Sequence, residues 1–421
     1  MKQLLDRDTW IEVFQSIRKN KLRTFLTMIG VFIGIYIYIG LSGAANGLEN
    51  GFEREFKTIA RNSMFVWAQQ TSMPYSGFKT GRQIQLKLGD AEVLKKQIPE
   101  IEAIAPRNVR GIFGSNPGVI SRGLKSGNYS VFGDFPDFTK IATKRIYDGG
   151  RFINDDDIKQ ERKVCVIGER TQRELFDEDE EPIGGYIEID DVNFQVVGVH
   201  KFAGGGPFDN DSDIFIPFTT YRKLYNSGDN VSWFTIAAYD DANVVEVEKD
   251  IKATLRRIHR THPQDEKAIG SFNLGEAFNK IFGFSSGMIF LSLVVGVACI
   301  LAGVVGIGNI LLISVKERTK ELGVRRAMGA TPAEVRNQII IEALVLTLLA
   351  GIIGIIFGAL TLKFIDMLTS GSGDFPYTNP TVPIPYVLGS LALMIILGLL
   401  IGMIPAQRAV SIRPIDALRE E

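Results

Sequence analysis

Cysteine and histidine are scarce in this chain, at two and three among 421 residues. Cys165 lies in a strand-like run and Cys299 within an uncharged segment, so no bridge between them is expected, and both read as small buried hydrophobes. His200, His259 and His262 stand at no metal-ligand spacing with either cysteine, which argues against a zinc site. No glycine anywhere is followed by lysine, so G-x-x-x-x-G-K-[ST] is absent and the chain carries no phosphate-binding loop.

Charge is missing in blocks. The formal net charge of -1 and the 23% of charged residues hide four stretches with none: Thr24–Leu48, Ile281–Val315, Ala343–Leu362 and Phe375–Gln407. A bilayer core needs about 20 apolar residues in a helix, and soluble core helices rarely run past about 14 without a charge. Four transmembrane helices follow. The last stretch opens with the proline-rich "FPYTNPTVPIPY", so its spanning part is Val387–Pro405.

An even number of spans puts both ends of the chain on one side. Residues 1–23 carry six Lys and Arg, residues 316–342 carry six more, and the short loop 363–386 has only Lys363. The positive-inside rule therefore places the ends and the charged stretch after the second span in the cytoplasm, and the long segment 49–275 outside. The first apolar run is too long, and its basic lead-in too extended, for a cleavable signal peptide. Ahead of it, Trp10, Val13, Phe14 and Ile17 recur at helical spacing opposite polar residues. That pattern predicts an amphipathic helix lying on the membrane surface or packed on another subunit.

The outer segment alternates strand and helix signals. "NSMFVWA", "KVCVIG", "GYIEI", "FQVVGV", "DIFIPF" and "WFTIAAY" read as strands; "DAEVLKKQI", "RTQRELF" and "NVVEVEKDIKATLRRIHR" read as helices. This predicts a mixed α+β domain of two lobes with no catalytic constellation. Asp209, Asp211 and Asp213 have the opening rhythm of a calcium loop, but Ile214 and Thr220 occupy the places of its glycine and its final glutamate. A solvated loop is expected there.

The second uncharged segment is longer than a bilayer requires. It predicts one continuous helix linking the outer domain to the cytoplasm, unless Gly296, Gly303, Gly306 and Gly308 break it. Gly30 and Gly34, Gly354 and Gly358, and Gly398 and Gly402 form G-x-x-x-G pairs, which permit close helix approach.

The charged stretch "SVKERTKELGVRRAMGATPAEV" has readable grammar. Glu321 and Arg325 form an i, i+4 pair. The descending helix should continue to about Met328 and end at Gly329. Thr331, Pro332 and Glu334 form a capping box with proline at the first helical position, so a new helix restarts there. Basic and apolar side chains on such an elbow suit either a protein partner or anionic lipid.

These residues are specific. "KERTKELGVRRAMGATPAEV" followed by "IIIEALVLTLLAGIIGIIFG" resembles the signature of the MacB/FtsX-type ABC transporter permeases, the mechanotransmission class. "IRKNKLRTFLTMIGVFIGI" is similar to the family's first span, "GGRFINDDDIKQERKVCVIGERTQRELF" and "DIFIPFTTYRKL" to the periplasmic core of macrolide-exporter permeases, and "IPAQRAVSIRPIDALREE" to the family's C-terminal end. "LSGAA" at 41–45 superficially resembles the ABC signature sequence but sits inside a span and lacks the expected Gly and Gln.

The resemblance implies a dimer of this permease with a second copy or a related permease. It also implies a separate cytoplasmic ABC ATPase that binds ATP and magnesium, since this chain holds no cofactor. The loop between spans two and three would dock on that ATPase through Glu317, Arg318, Glu321, Leu322, Arg325, Arg326, Met328, Gly329, Ala330 and Thr331. A periplasmic adaptor and a TolC-like outer-membrane channel are implied partners, together with membrane lipid; nucleic acid is not. The implied location is the bacterial inner membrane.

The expected fold is an integral membrane α-helical protein with a large α+β extracytoplasmic domain inserted between helices 1 and 2. Its expected segments are a cytoplasmic helix (1–23), TM1 (24–48), the periplasmic core domain (49–275), stalk plus TM2 (276–315), the coupling elbow (316–335), TM3 (336–362), a short periplasmic loop (363–386), TM4 (387–405) and a cytoplasmic tail (406–421). The chain itself is expected to be no enzyme. Its expected function is ATP-driven extrusion of a periplasmic substrate; the alternatives are an FtsX-like regulator of a cell-wall hydrolase or a lipoprotein-releasing permease.

Overall fold

A computed structural model describes residues 21–112, 115–202, 210–369 and 377–411 of the protein. The membrane-surface helix expected around Trp10, Val13, Phe14 and Ile17 lies outside the described residues. In chain order the helices are α1 (Lys21–Glu55), α2 (Leu88–Gln97), α3 (Phe138–Ile141), α4 (Asp155–Lys159), α5 (Glu169–Leu175), α6 (Phe218–Tyr225), α7 (Val244–Ile258), α8 (Leu274–Glu317), α9 (Thr319–Ala327), α10 (Pro332–Thr369) and α11 (Ile384–Ser411). The strands are β1 (Ser63–Ala68), β2 (Leu86–Lys87), β3 (Ile101–Arg110), β4 (Gly118–Arg122), β5 (Lys125–Tyr129), β6 (Val131–Asp134), β7 (Arg145–Ile146), β8 (Val164–Gly168), β9 (Tyr186–Ile189), β10 (Val192–Lys201), β11 (Ile214–Pro217), β12 (Asn230–Val231), β13 (Trp233–Ala238) and β14 (Ile269–Asn273). The chain divides into two compact units, Met1–Phe52 with Ile281–Glu421, and Glu53–Lys280.

The first unit is a helical bundle. α1, α8, α10 and α11 are each long and apolar enough to cross a membrane. α8 runs unbroken for 44 residues, about 66 Å at 1.5 Å per residue. Its glycines do not interrupt it; they let neighbouring helices approach. A Cβ on Gly303 would fall 2.4 Å from the Val31 nitrogen, and one on Gly30 would fall 2.7 Å from the Gly303 Cα. Gly354 and Gly358 of α10 receive Ile35 and Ile39 of α1, and Gly402 of α11 meets Ala343 of α10. All three G-x-x-x-G pairs thus stand at helix contacts. Val31, Ile35, Ile39, Ile300, Val304, Leu346 and Met394 fill the bundle centre. Phe290, Phe357 and Ile404 stay exposed, as side chains facing lipid do. α11 continues through Pro405 to Ser411.

The second unit is an α+β domain built on one long mixed sheet, ordered β14-β1-β13-β3-β6-β11-β8-β10-β9-β4-β5. Two cores make its two lobes. In one, alternate residues of β1 and β13 (Met64, Val66, Phe234, Ile236) pack on Leu94 of α2 and on Val247, Ile251 and Leu255 of α7. These α7 residues recur every four positions, so they share a face. Asn243 caps that helix by accepting from the Val245 amide. In the other lobe Ile120, Cys165, Ile167, Phe194 and Val196 pack with Leu175 of α5. β3 joins the lobes: it pairs with β13 over Ile101–Arg107 and with β6 over Asn108–Arg110.

A buried polar cluster marks that junction. Arg107 is 1% exposed and donates to both Asp134 carboxylate oxygens, at 2.7 and 2.8 Å. Its guanidinium lies 4.1 Å from the Phe138 ring centre and 4.3 Å from that of Phe132, so the charge is held between an anion and two aromatic faces. The expected solvated loop is corrected at Asp213, which is 1% exposed. Its carboxylate accepts from the Asn210 amide at 2.7 Å, and its carbonyl is 2.9 Å from His200 Nε2. Asp209 lies outside the described residues.

Candidate docking site

The elbow is a short helix held between two membrane-length ones. α8 does not run on to Met328, as its sequence suggests; the helix breaks at Arg318 and restarts as α9. Thr319 stands at the restart. Its hydroxyl donates to the carbonyls of Val315 (3.2 Å) and Lys316 (2.8 Å) in the last turn of α8.

α9 ends as the glycine predicts. Gly329 has φ +107°, open to glycine at little cost. The Ala330 amide donates to the Arg325 carbonyl and the Gly329 amide to the Arg326 carbonyl, the paired bonds of a Schellman motif. The capping box is formed as well: Glu334 accepts from the Thr331 amide at 2.9 Å, and Thr331 Oγ1 accepts from the Glu334 amide at 3.3 Å. Two orphan carbonyls and two orphan amides are satisfied between Arg325 and Glu334. The turn is therefore determined locally.

The ten candidate side chains divide by direction. Leu322 is buried with Val315, Val335, Ile339, Ala406 and Ala409, and packs the elbow onto α10 and α11. Arg326 also turns inward, donating from Nη1 to the Val410 carbonyl at 2.7 Å. Arg325 pairs with Glu321 at 3.1 Å on its own helix. Glu317, Glu321, Gly329 and Thr331 are exposed, Arg318, Arg325 and Ala330 are half-buried, and Met328 at the tip is 76% exposed. Val324, an apolar residue of the elbow outside those ten, is exposed beside them. Sequence reasoning missed Ala406, Ala409 and Val410. Their only signal is a pair of small residues three apart, which has no meaning until α11 is known to lie beside α9. The outward surface is thus acidic and basic groups around an exposed methionine.

Among the described residues no group of three or more His, Cys, Asp or Glu comes together to hold a metal ion. The most strongly perturbed ionisable groups among the described residues lie in the α+β domain. Desolvation pushes Asp213 up to about 6, with the Asn210 amide and the Arg107 and Lys144 charges opposing it. Burial lowers His200 to about 3, helped by the charge of Lys144. Lys144 is half-buried as a residue, but its ammonium lies 4.9 Å from the Phe215 ring centre, and desolvation together with Arg107 lowers it to about 7. None of these groups stands at a reaction geometry. Cys165 and Cys299 are free thiols, and burial raises Cys165.

Comparisons with known proteins agree with this architecture. The family described as MacB-like periplasmic core domain matches residues 24–254, and the FtsX-like permease C-terminal family matches residues 280–414. The macrolide export ATP-binding/permease protein MacB of Bdellovibrio bacteriovorus is 29% identical over 411 residues, covering 97% of this chain and 61% of the relative. The pyoverdine export ATP-binding/permease protein PvdT of Pseudomonas syringae is 31% identical over 328 residues, covering 77% of this chain and 47% of the relative. The chain therefore spans about half to three-fifths of the length of the relatives it matches. The crystal structure of the periplasmic region of MacB from Actinobacillus actinomycetemcomitans aligns with 55% of this chain and 97% of its own, at 22% identity and a TM-score of 0.43.

Proposed function

The chain belongs to the family of permeases with a MacB-like periplasmic core domain, and we propose that it is the membrane subunit of an ATP-driven exporter whose ATPase is a separate chain. The named relatives are ATP-binding/permease proteins for macrolide and pyoverdine export. This sequence matches them through its permease part and contains no phosphate-binding loop motif.

One observation carries the reading. β14, an edge strand of the domain sheet, is followed without a loop by α8, and α8 reaches the elbow without a break. A continuous helix is stiff along its axis, so a displacement of the elbow is transmitted to the sheet edge rather than absorbed between them. On this reading an ATPase on the cytoplasmic side grips the exposed face around Met328 and moves α8. The α+β domain then changes shape outside the inner membrane. Substrate is expelled from that side, through an adaptor and an outer-membrane duct, and two permeases act as a pair. The chain's own residues supply transmission, not catalysis.

The test is a glycine pair inserted in α8 beside Lys280, in a strain supplying the cognate ATPase. Export should be lost while ATP hydrolysis by the assembled complex persists. Unchanged export would sink the transmission reading. If export never depended on the chain but a cell-wall hydrolase or lipoprotein release did, the machine would stand and its output would be reassigned.

A further inference from the structure

The α+β domain carries a cavity that the transmission role does not use. Its floor is the face of the sheet turned away from the α2 and α7 core. β1 and β13 are antiparallel with Trp67 opposite Trp233 and Phe65 opposite Thr235. Since Met64, Val66, Phe234 and Ile236 point into the helix-packed core, the paired aromatics must point the other way.

The walls are built. Gln85 donates from Nε2 to the Val231 carbonyl at 3.0 Å, and Leu86 pairs with Val231 in β12, so the Gln83–Gln85 segment is tied at one end. Opposite, just beyond β3, the Gly111 amide donates to Ser115 Oγ at 2.9 Å, with Gly111 at φ +100°. Phe65, Trp67, Trp233, Gln83, Gln85 and Ile112 are the principal lining, around a space of about 390 Å³. That is within the range of small-molecule sites, about 300–1,000 Å³.

Chemistry narrows the ligand. None of the twelve described lining residues is ionisable. A charged ligand would lose water against aromatic faces and meet no counter-ion in the described lining, the nearby Arg107 being already paired with Asp134, which costs more than the contacts return. A cation meets a further obstacle, because the Arg107 guanidinium already lies 5.8 Å from the Trp233 ring centre. A flat ring gains from the two indoles and the phenyl group. Gln83 is exposed, and its side-chain amide makes no hydrogen bond with any described residue, so it offers both a donor and an acceptor at the mouth.

We propose that this cavity is a binding site for an uncharged, flat, largely apolar small molecule bearing one or two hydrogen-bonding groups. Its role as exported cargo rests on the export reading above; the binding itself does not.

The chain offers its own reporter. It has three tryptophans, and two of them line the cavity. The third, Trp10, is removed by Trp10→Phe. The full chain in lipid nanodiscs, without ATPase or ATP, is titrated with phenylnaphthylamine, a neutral fluorescent diarylamine, while energy transfer from tryptophan is followed. Saturable transfer is expected. Anilinonaphthalenesulfonate, the anionic counterpart of the same ring system, should bind at least tenfold more weakly. Gln83→Glu, a change at an exposed position, should weaken the neutral probe at least tenfold with an unchanged melting curve, equivalent to about 1.4 kcal/mol. Transfer that does not saturate, or sulfonate and Gln83→Glu affinities within twofold of the neutral and parent values, overturns the site. Because no ATPase is present, binding can fail while coupling stands, and the reverse.

Discussion

Arg326 donates from Nη1 to the carbonyl of Val410 at 2.7 Å, joining positions 84 residues apart, while its neighbour Arg325 bonds to Glu321 within the elbow helix. Two adjacent arginines therefore have different tasks. One attaches the elbow to α11, and the other remains on the exposed face where docking of the ATPase is proposed.

Separate substitutions should divide these tasks. Arg325→Glu sets like charges one turn apart beside Glu321 and should lower co-purification of the ATPase at least tenfold with an unchanged melting curve. Arg326→Ala removes a charged hydrogen bond worth about 1.5–3 kcal/mol when well shielded. It should speed amide exchange across residues 319–327 and the end of α11. Identical behaviour of the two variants would refute the division.

Gly329→Ala tests the turn alone. No atom lies within 4 Å of the added Cβ, so the cost is purely that of holding φ +107°. We expect about 1–2 kcal/mol, read as local exchange at the elbow, with global melting little changed. Thr331→Ala should cost about 1 kcal/mol at the same place by removing the cap.

Two glycines of α8 make a matched pair in the bundle. Gly303→Ala would set a methyl group 2.4 Å from the Val31 nitrogen, so α1 and α8 must separate. A loss of about 1–3 kcal/mol is expected, seen as an earlier melting transition in detergent. Gly306 has nothing within 4 Å of its Cβ position, and Gly306→Ala should melt within error of the parent. Equal effects would mean that the α1–α8 contact is misplaced.

The Arg107–Asp134 pair should be far costlier to halve than to replace. Asp134→Ala strands a buried guanidinium, and about 3–5 kcal/mol of stability should be lost. The double change Arg107→Met, Asp134→Leu should lose less than that. Denaturant unfolding of the full chain, followed by tryptophan emission, distinguishes the two because Trp233 lies over Arg107.

Acid behaviour follows from His200 and Asp213. The folded state lowers His200 from 6.5 to about 3, so its contribution is present above 6.5 and lost as pH falls from 6.5 toward 3. Asp213 is raised from 3.8 to about 6, so its contribution is present below 3.8 and lost as pH rises from 3.8 to 6. The two slopes oppose each other between 3.8 and 6. Asp213→Asn keeps the acceptor for the Asn210 amide and removes only one slope. Its melting temperature should therefore fall more steeply than the parent's as pH drops through this window. Parallel curves would show that Asp213 is not titrating as a buried carboxyl.

Local chemistry was legible in the chain itself. Runs without charge declared four membrane-length helices, because a bilayer tolerates little else. Gly329, Thr331 and Glu334 declared the turn, because every bond of the Schellman motif and the capping box spans at most five residues. β8, β9, β10, β11 and β13 showed in their apolar runs, as did α7 in its spacing. β3 did not, because "IEAIAPRNVR" puts Pro106 and Arg107 mid-strand. Proline reads as a strand breaker, and arginine as surface, until Asp134 and two aromatic rings are found around it.

Packing decided the rest. Leu322 and Arg326 face inward only because α11 supplies Ala406, Ala409 and the Val410 carbonyl beside them. The aromatic cavity exists only because β1 meets β13 in one register, so that Trp67 and Trp233 share a face. Composition and short-range spacing determine which elements form. Which side chains remain for a partner or a ligand depends on neighbours tens to hundreds of residues away, and the folded chain alone brings those together.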